Sequence, residues 1–190
     1  MAHTGTAPRA SDPADLEVVI GLMRRRHLRA VLRIEQQVYP RPWSIGLFMS
    51  ELAYGTSRVY VTARIGGTVV GYGGLMLVAD DGHITTLAVD PRWHRHGIGT
   101  RLLDTLARAA IDRGARNLTL EVRVGNDAAQ GMYRAFGFAP AGIRKGYYVE
   151  TNEDALIMWA NDVDTPDYRQ RLDALAATLP GPTVVEDLNR

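Results

Sequence analysis

One junction restricts the fold more than any other feature of the chain. Val89 to Thr100 leads from the end of an apolar strand, through the basic loop Asp90-Pro91-Arg92-Trp93-His94-Arg95-His96-Gly97, into a helix predicted over about 98 to 113. Ile98, Leu102, Leu103, Leu106, Ala109 and Ala110 fall on one face of that helix, and Gly114 is its expected stop. A helix that is apolar on one side needs a sheet to cover. The strands for it lie just upstream. Val59-Tyr60-Val61-Thr62-Ala63 and the run Val69 to Val78 flank Gly66-Gly67, a dipeptide suited to a two-residue hairpin turn. Asp80-Asp81-Gly82 then turns the chain into a third strand, His83 to Val89, so that the three read as an antiparallel meander.

The flanking segments complete an α+β domain. A strand-like stretch around 16 to 23 precedes a helix at about 27 to 38, carrying Leu28, Val31, Leu32, Ile34 and Val38 and stopped by Pro40 and Pro42. Ser44 is placed to cap a second helix, about 44 to 53, with Trp43 and Phe48 as a hydrophobic staple. Downstream, Leu118, Leu120, Val122 and Val124 alternate with Thr119, Glu121 and Arg123, which sends Glu121 to the face opposite the aliphatic residues. Asn126 or Asp127 caps a short helix through Phe136, and strands follow at about 138 to 145 and 154 to 160. Thr165-Pro166 opens a last helix whose stripe Tyr168, Leu172, Leu175 and Leu179 is expected to dock on its own domain. The expected organisation is a flexible tail over 1–15, a domain over 16–161, and a C-terminal helix and tail over 162–190, with a mixed, mostly antiparallel central sheet flanked by helices.

Charge and composition narrow the partners. Twenty-two Lys and Arg against 21 Asp and Glu leave a net +1, so no broad basic field exists to hold nucleic acid or a membrane surface. Without cysteine there is no disulfide framework, thiolate zinc site or cysteine nucleophile. The apolar run Val18 to Met23 is too short to span a bilayer and precedes Arg24-Arg25-Arg26, the reverse of a secretion signal, so a cytoplasmic protein is expected. His83, His94 and His96 lack the further ligands a metal would need and are expected to be solvated or to face phosphate. Gly71-Tyr72-Gly73-Gly74, inside a strand, marks a bulge or a close backbone approach.

Gly97 and Gly99 at a helix start let backbone N–H groups approach an anion, which makes the junction a candidate pyrophosphate cradle. Leu102 stands where a dinucleotide fingerprint would have its third small residue, and no P-loop lysine follows Gly99. On spacing alone an ordinary basic loop explains the segment equally well. Glu121 by itself reads as a solvated strand carboxylate paired with Arg123, and Tyr133 as a core aromatic with its hydroxyl at the surface.

The motifs taken together resemble the GCN5-related N-acetyltransferase superfamily, in which a Gln or Arg precedes a Gly-x-Gly or Gly-x-Ala turn and a long helix. This chain carries His94 at the Gln or Arg position. Leu87-Ala88-Val89-Asp90-Pro91, Leu120-Glu121-Val122-Arg123-Val124-Gly125-Asn126, Met132-Tyr133-Arg134-Ala135-Phe136-Gly137-Phe138 and Arg144-Lys145-Gly146-Tyr147-Tyr148 are similar to the ribosomal-protein-alanine N-acetyltransferases within it. The resemblance covers roughly residues 17 to 160 in the expected order. It implies acetyl-CoA as cosubstrate with no metal, held by Leu87, Ala88, Val89, Arg95, His96, Gly97, Ile98, Gly99, Thr100 and Asn126. It implies Glu121 as general base, Tyr133 as general acid, and Trp43, Tyr147 and Tyr148 around the entrance for a peptide whose N-terminal amine, with Ala first, is acetylated. The chemistry agrees: an amine attacking a thioester must lose a proton and the departing thiolate must gain one. Without cysteine, direct attack in a ternary complex is the simpler route. A lysine or small-amine acetyltransferase, or a non-catalytic acyl-CoA-binding module, stands as the alternative, and the oligomeric state is left open.

Overall fold

A computed structural model describes residues 16–188, so the tail expected over 1–15 lies outside the described residues. In chain order the elements are β1 (Val18–Leu22), α1 (Leu28–Val38), α2 (Ile45–Ala53), β2 (Arg58–Ile65), β3 (Thr68–Val78), β4 (Asp81–Val89), α3 (Ile98–Asp112), β5 (Asn117–Arg123), α4 (Asp127–Ala135), β6 (Ala139–Tyr148), β7 (Glu153–Ala160), α5 (Pro166–Ala177) and β8 (Thr183–Val185). The strands form one sheet in the order β6-β7-β5-β4-β3-β2-β1-β8. Neighbours are antiparallel except β4 with β5 and β1 with β8, which makes the sheet mixed and mostly antiparallel as expected.

Alternation along β2 divides the core. Val59, Val61 and Ala63 pack beneath α3 with Leu102, Leu103 and Leu106. Tyr60 turns to the other face, under Leu28, Val31 and Ile34 of α1 and Phe48 of α2. The staple forms, with the Trp43 and Phe48 rings 5.3 Å apart, and Phe48 also meets Tyr72 edge-on at 5.8 Å. The glycine-rich run in β3 allows close approach: a Cβ on Gly73 would lie 2.8 Å from Leu106 Cδ1, so a larger residue would force that buried side chain of α3 to shift. The register also slips between Gly74 and Leu75, where Thr85 of β4 is left unpaired as a bulge.

One turn, one strand end and one whole strand differ from the sequence reading, β6 running on to Tyr148 where the pattern ends at about 145. The turn between β3 and β4 is Ala79-Asp80, because Asp81 already pairs with Val78, and Gly82 serves as a strand residue where a Cβ would press on Leu118 at 2.8 Å. Strand β8 has no counterpart in the sequence pattern. Three residues after Pro180-Gly181-Pro182 show no legible period, and their strand character comes from pairing with Val18 to Ile20.

The terminal helix docks on its own chain: Tyr168 and Leu172 are buried in the core beneath α3, and Arg108 reaches Asp173 at 2.8 Å. No described helix is long and apolar enough to cross a membrane.

Candidate active site

β4 and β5 pair only through Asp81 to His83 and Asn117 to Thr119 and then separate, β4 bending at its bulge while β5 stays paired to β7. The gap is the head of a cleft of about 630 Å³ whose lining includes Leu87, Glu121, Asn126, Tyr133, Tyr148 and Trp43. Glu121, Tyr133, Leu87, Asn126, Trp43, Tyr147 and Tyr148, all singled out in the sequence, therefore meet in one place.

Glu121 sits on β5 as the alternation requires, with Leu118, Leu120 and Val122 buried on the opposite face. Its carboxylate is only 9% exposed and does not pair with Arg123. His83 Nε2 lies 2.9 Å from one oxygen and Arg144 Nη1 3.1 Å from the other. The His83 hydrogen bond, with help from the His83 and Arg144 charges, holds the carboxyl below its usual range despite burial, so it is ionised at neutral pH. His83 is thus a partner of the carboxylate, its side chain still 28% exposed in the cleft. Arg123 instead pairs with Glu153 and lies 3.9 Å from the centre of the Tyr148 ring.

Tyr133 comes from α4 and packs on Phe138 at 5.9 Å. Burial, with the nearby Tyr39 and Tyr148 phenols, raises its pKa well above the ordinary value, so it carries its proton throughout the physiological range. Tyr147 and Tyr148 stand edge-to-face at 5.1 Å at the end of β6 and, with Trp43, line the same cleft.

The proposed cofactor residues divide into two sets. Asn126 lines the cleft and also caps α4, its Oδ1 accepting the Ala129 N–H at 3.1 Å. The Leu87 carbonyl accepts from Tyr39 Oη at 3.0 Å, and the Ala88 side chain belongs to the core under α1. Val89 ends β4, and its carbonyl lies 3.1 Å from His94 Nε2, which shows where the residue at the Gln or Arg position points. Arg95, His96, Gly97, Ile98, Gly99 and Thr100 lie outside the cleft lining, at the adjoining start of α3. There Gly97 is the N-cap with φ +72° and α3 receives no side-chain cap, so no capping side chain takes up its first N–H groups. Gly99 approaches Met132 Sδ, Leu87 and Val89, where a Cβ would lie 3.3 Å from the sulfur. Main-chain donors with no Cβ in front of them suit a diphosphate.

The sequence reading assigned no role to one carboxylate here. Glu35 of α1 is 1% exposed and lines the cleft; its Oε1 accepts the Trp43 N–H at 2.9 Å and its Oε2 is buried without a partner. Burial pushes its pKa up to about 7, against the Trp43 hydrogen bond. The available clue was position: Leu28, Val31, Glu35 and Val38 fall on one helical stripe, where a carboxylate has no structural reason to be. Among the described residues no group of three or more His, Cys, Asp or Glu side chains is arranged to hold a metal ion.

Residues 28–138 match the family model described as the Acetyltransferase (GNAT) family. The chain belongs to this family. Among its relatives, the N-alpha-acetyltransferase RimI of Mycobacterium tuberculosis is 39% identical over 152 residues, covering 76% of this chain and 94% of that protein. The [ribosomal protein bS18]-alanine N-acetyltransferase of Escherichia coli is 35% identical over 141 residues, covering 73% of this chain and 94% of that protein. In structure, the Escherichia coli ribosomal-protein-S18-alanine N-acetyltransferase superposes with a TM-score of 0.70 at 33% identity, over 76% of this chain and 94% of that one. The elements β6, β7, α5 and β8 lie beyond the residues that the family model matches.

Proposed function

We propose that the protein transfers the acetyl group of acetyl-CoA to the N-terminal α-amine of a protein, with a ribosomal protein beginning in Ala as the acceptor. The observation that carries this reading is the ionised Glu121, bracketed by His83 and Arg144, in the same cleft as a buried, protonated Tyr133 and one strand end away from the uncapped start of α3. The relatives that cover nearly their whole length with this chain bear the same kind of activity in their names.

In this reading the N–H groups from Gly97 to Thr100 receive the diphosphate, Leu87 to Val89 and Asn126 guide the arm that follows, and the acetyl thioester arrives between Glu121 and Tyr133. Acetyl-CoA supplies the activated acetyl carbonyl. The α-amine enters past Trp43, Tyr147 and Tyr148 and attacks that carbon. As the C–N bond forms, the nitrogen becomes acidic, and its proton passes to the Glu121 carboxylate, which His83 and Arg144 hold in place. As the C–S bond breaks, the Tyr133 phenol gives its proton to sulfur. An α-amine suits a base of this modest strength, since its pKa of about 7.7 to 8.0 leaves a sizeable neutral fraction near neutrality, against about 10.4 for lysine.

The test compares a peptide with a free N-terminal alanine against the same peptide N-blocked and carrying an internal lysine. The first should have at least about a tenfold higher kcat/KM. Equal or reversed ratios would move the protein to lysine or small-amine acetylation.

A further inference from the structure

Arg101 is among the most fully buried side chains of the molecule, 2% exposed, although it stands in the first turn of α3. Its Nη2 donates to the Pro180 carbonyl and, at 3.3 Å, to that of Gly181; its Nη1 donates to Thr183 Oγ1 and, at 3.4 Å, to Gly181 O; its Nε has no partner. These partners are all neutral. As a device for stability alone this is a poor one, because a buried guanidinium without an anion is costly and an apolar side chain would fill the space better. Its place in the helix adds to the cost, since a cation in the first turn opposes the positive end of the helix dipole. Both penalties reverse when an anion sits at that helix start.

The second observation is what Arg101 holds. The segment Thr178 to Pro182 leaves α5 and crosses the beginning of α3 to reach β8, where Val18 N–H donates to Pro182 O at 3.1 Å and the β1–β8 pairing begins. On the way Leu179 lies against Gly97, so closely that a Cβ there would be 2.7 Å from Leu179 Cδ2. The loop it presses on contains two residues at positive φ, Arg95 at 64° and Gly97 at 72°. A backbone of that kind persists only where its surroundings determine it.

We propose that Arg101 is a positioning residue for acetyl-CoA: it draws Leu179 to Thr183 across the first turn of α3, fixes the Arg95–Gly97 loop in its anion-receiving shape, and leaves its own charge to be balanced by the diphosphate. This rests on the reading that the diphosphate is received at the start of α3. Arg101 touches neither substrate and acts through Gly97 and through space.

The experiment measures CoA binding by calorimetry, steady-state kinetics and melting temperature for the full chain and for Arg101→Met, Arg101→Lys, Thr183→Val and Leu179→Ala. Arg101→Met should weaken CoA binding and raise the KM for acetyl-CoA by about tenfold or more, with the peptide KM and the kcat at saturating acetyl-CoA within about twofold of the parent. Arg101→Lys, which restores the charge without the fork, should recover part of the loss. Leu179→Ala and Thr183→Val should each weaken CoA by about threefold and carry the test if Arg101→Met does not fold. A purely structural role would lower melting temperatures and leave CoA affinity where it was; that result in folded variants overturns the proposal, as does a fall in kcat with KM unmoved. If the parent chain itself binds no CoA, the reading of the α3 start fails as well, so the two failures are distinguishable.

Discussion

Replacing Glu35 by Gln should make the protein more stable at alkaline pH than at acid pH relative to the parent. In the native state the carboxyl is buried, has one hydrogen bond, from the Trp43 N–H at 2.9 Å, and leaves its second oxygen without a partner. Its pKa is raised from 4.5 to about 7. Between those values the folded chain holds a proton that the unfolded chain has released, so parent stability falls as pH rises through this window. Raising a carboxyl from 4.5 to about 7 costs the native state about 3 kcal/mol once it ionises, and about 2.5 kcal/mol of that develops between pH 5 and 8. Gln keeps the acceptor for Trp43, matches the shape of the protonated acid and does not titrate. Urea denaturation of both proteins at several pH values removes the titration of every other group by subtraction. The stability of Glu35→Gln minus that of the parent should climb by about 2 to 3 kcal/mol from pH 5 to 8. A difference that stays flat across that range would refute the reasoning.

The other predictions concern turnover and cofactor. Glu121→Gln and Tyr133→Phe should each lower kcat by about 10² to 10⁴-fold with CoA affinity preserved in calorimetry, and near-full turnover in both would assign the proton transfers elsewhere. His83→Ala removes the hydrogen bond that does most to depress the Glu121 pKa. Activity that needs ionised Glu121 is lost as pH falls through its pKa, so the acid limb of the kcat/KM profile should move to higher pH in this variant; an unmoved limb would take His83 out of the account. Gly97→Val places a β-branched residue at φ +72° and against Leu179, a backbone cost of about 1 to 2 kcal/mol before the clash, and should weaken CoA binding at least about tenfold. Unchanged affinity in the folded variant would place the diphosphate elsewhere.

Local patterns carried a large share of this fold. The α3 stripe, the hairpin at Gly66-Gly67, the alternation that turns Glu121 away from Leu120 and Val122, and the caps at Ser44 and Asn126 each depend on neighbours a few residues away, and each is in place. What escaped depends on distant partners. His83 and Arg144 stand 38 and 23 positions from Glu121, on different strands, and meet it because β4 lies beside one end of β5 while β6 reaches across from β7. Glu35 was hidden by its helix, which reads correctly as amphipathic without showing that the stripe ends over a cleft. Strand β8 and the Arg101 tether were invisible for the same reason: Pro180-Gly181-Pro182 signals a break, and no local rule says what the chain beyond a break will touch.

The pairing of Val18 with Thr183 joins residues about 165 positions apart, the longest loop the sheet has to close. Strand β1 can find β2 early, but its second neighbour does not exist until synthesis has reached Val185. Until then one side of β1 stays open and the start of α3 lacks the segment that crosses it. Contacts of such range form late, because the entropy of closing the loop is lost before any gain appears. A chain cut short before Thr183 would be left with an exposed strand edge open to pairing with other chains.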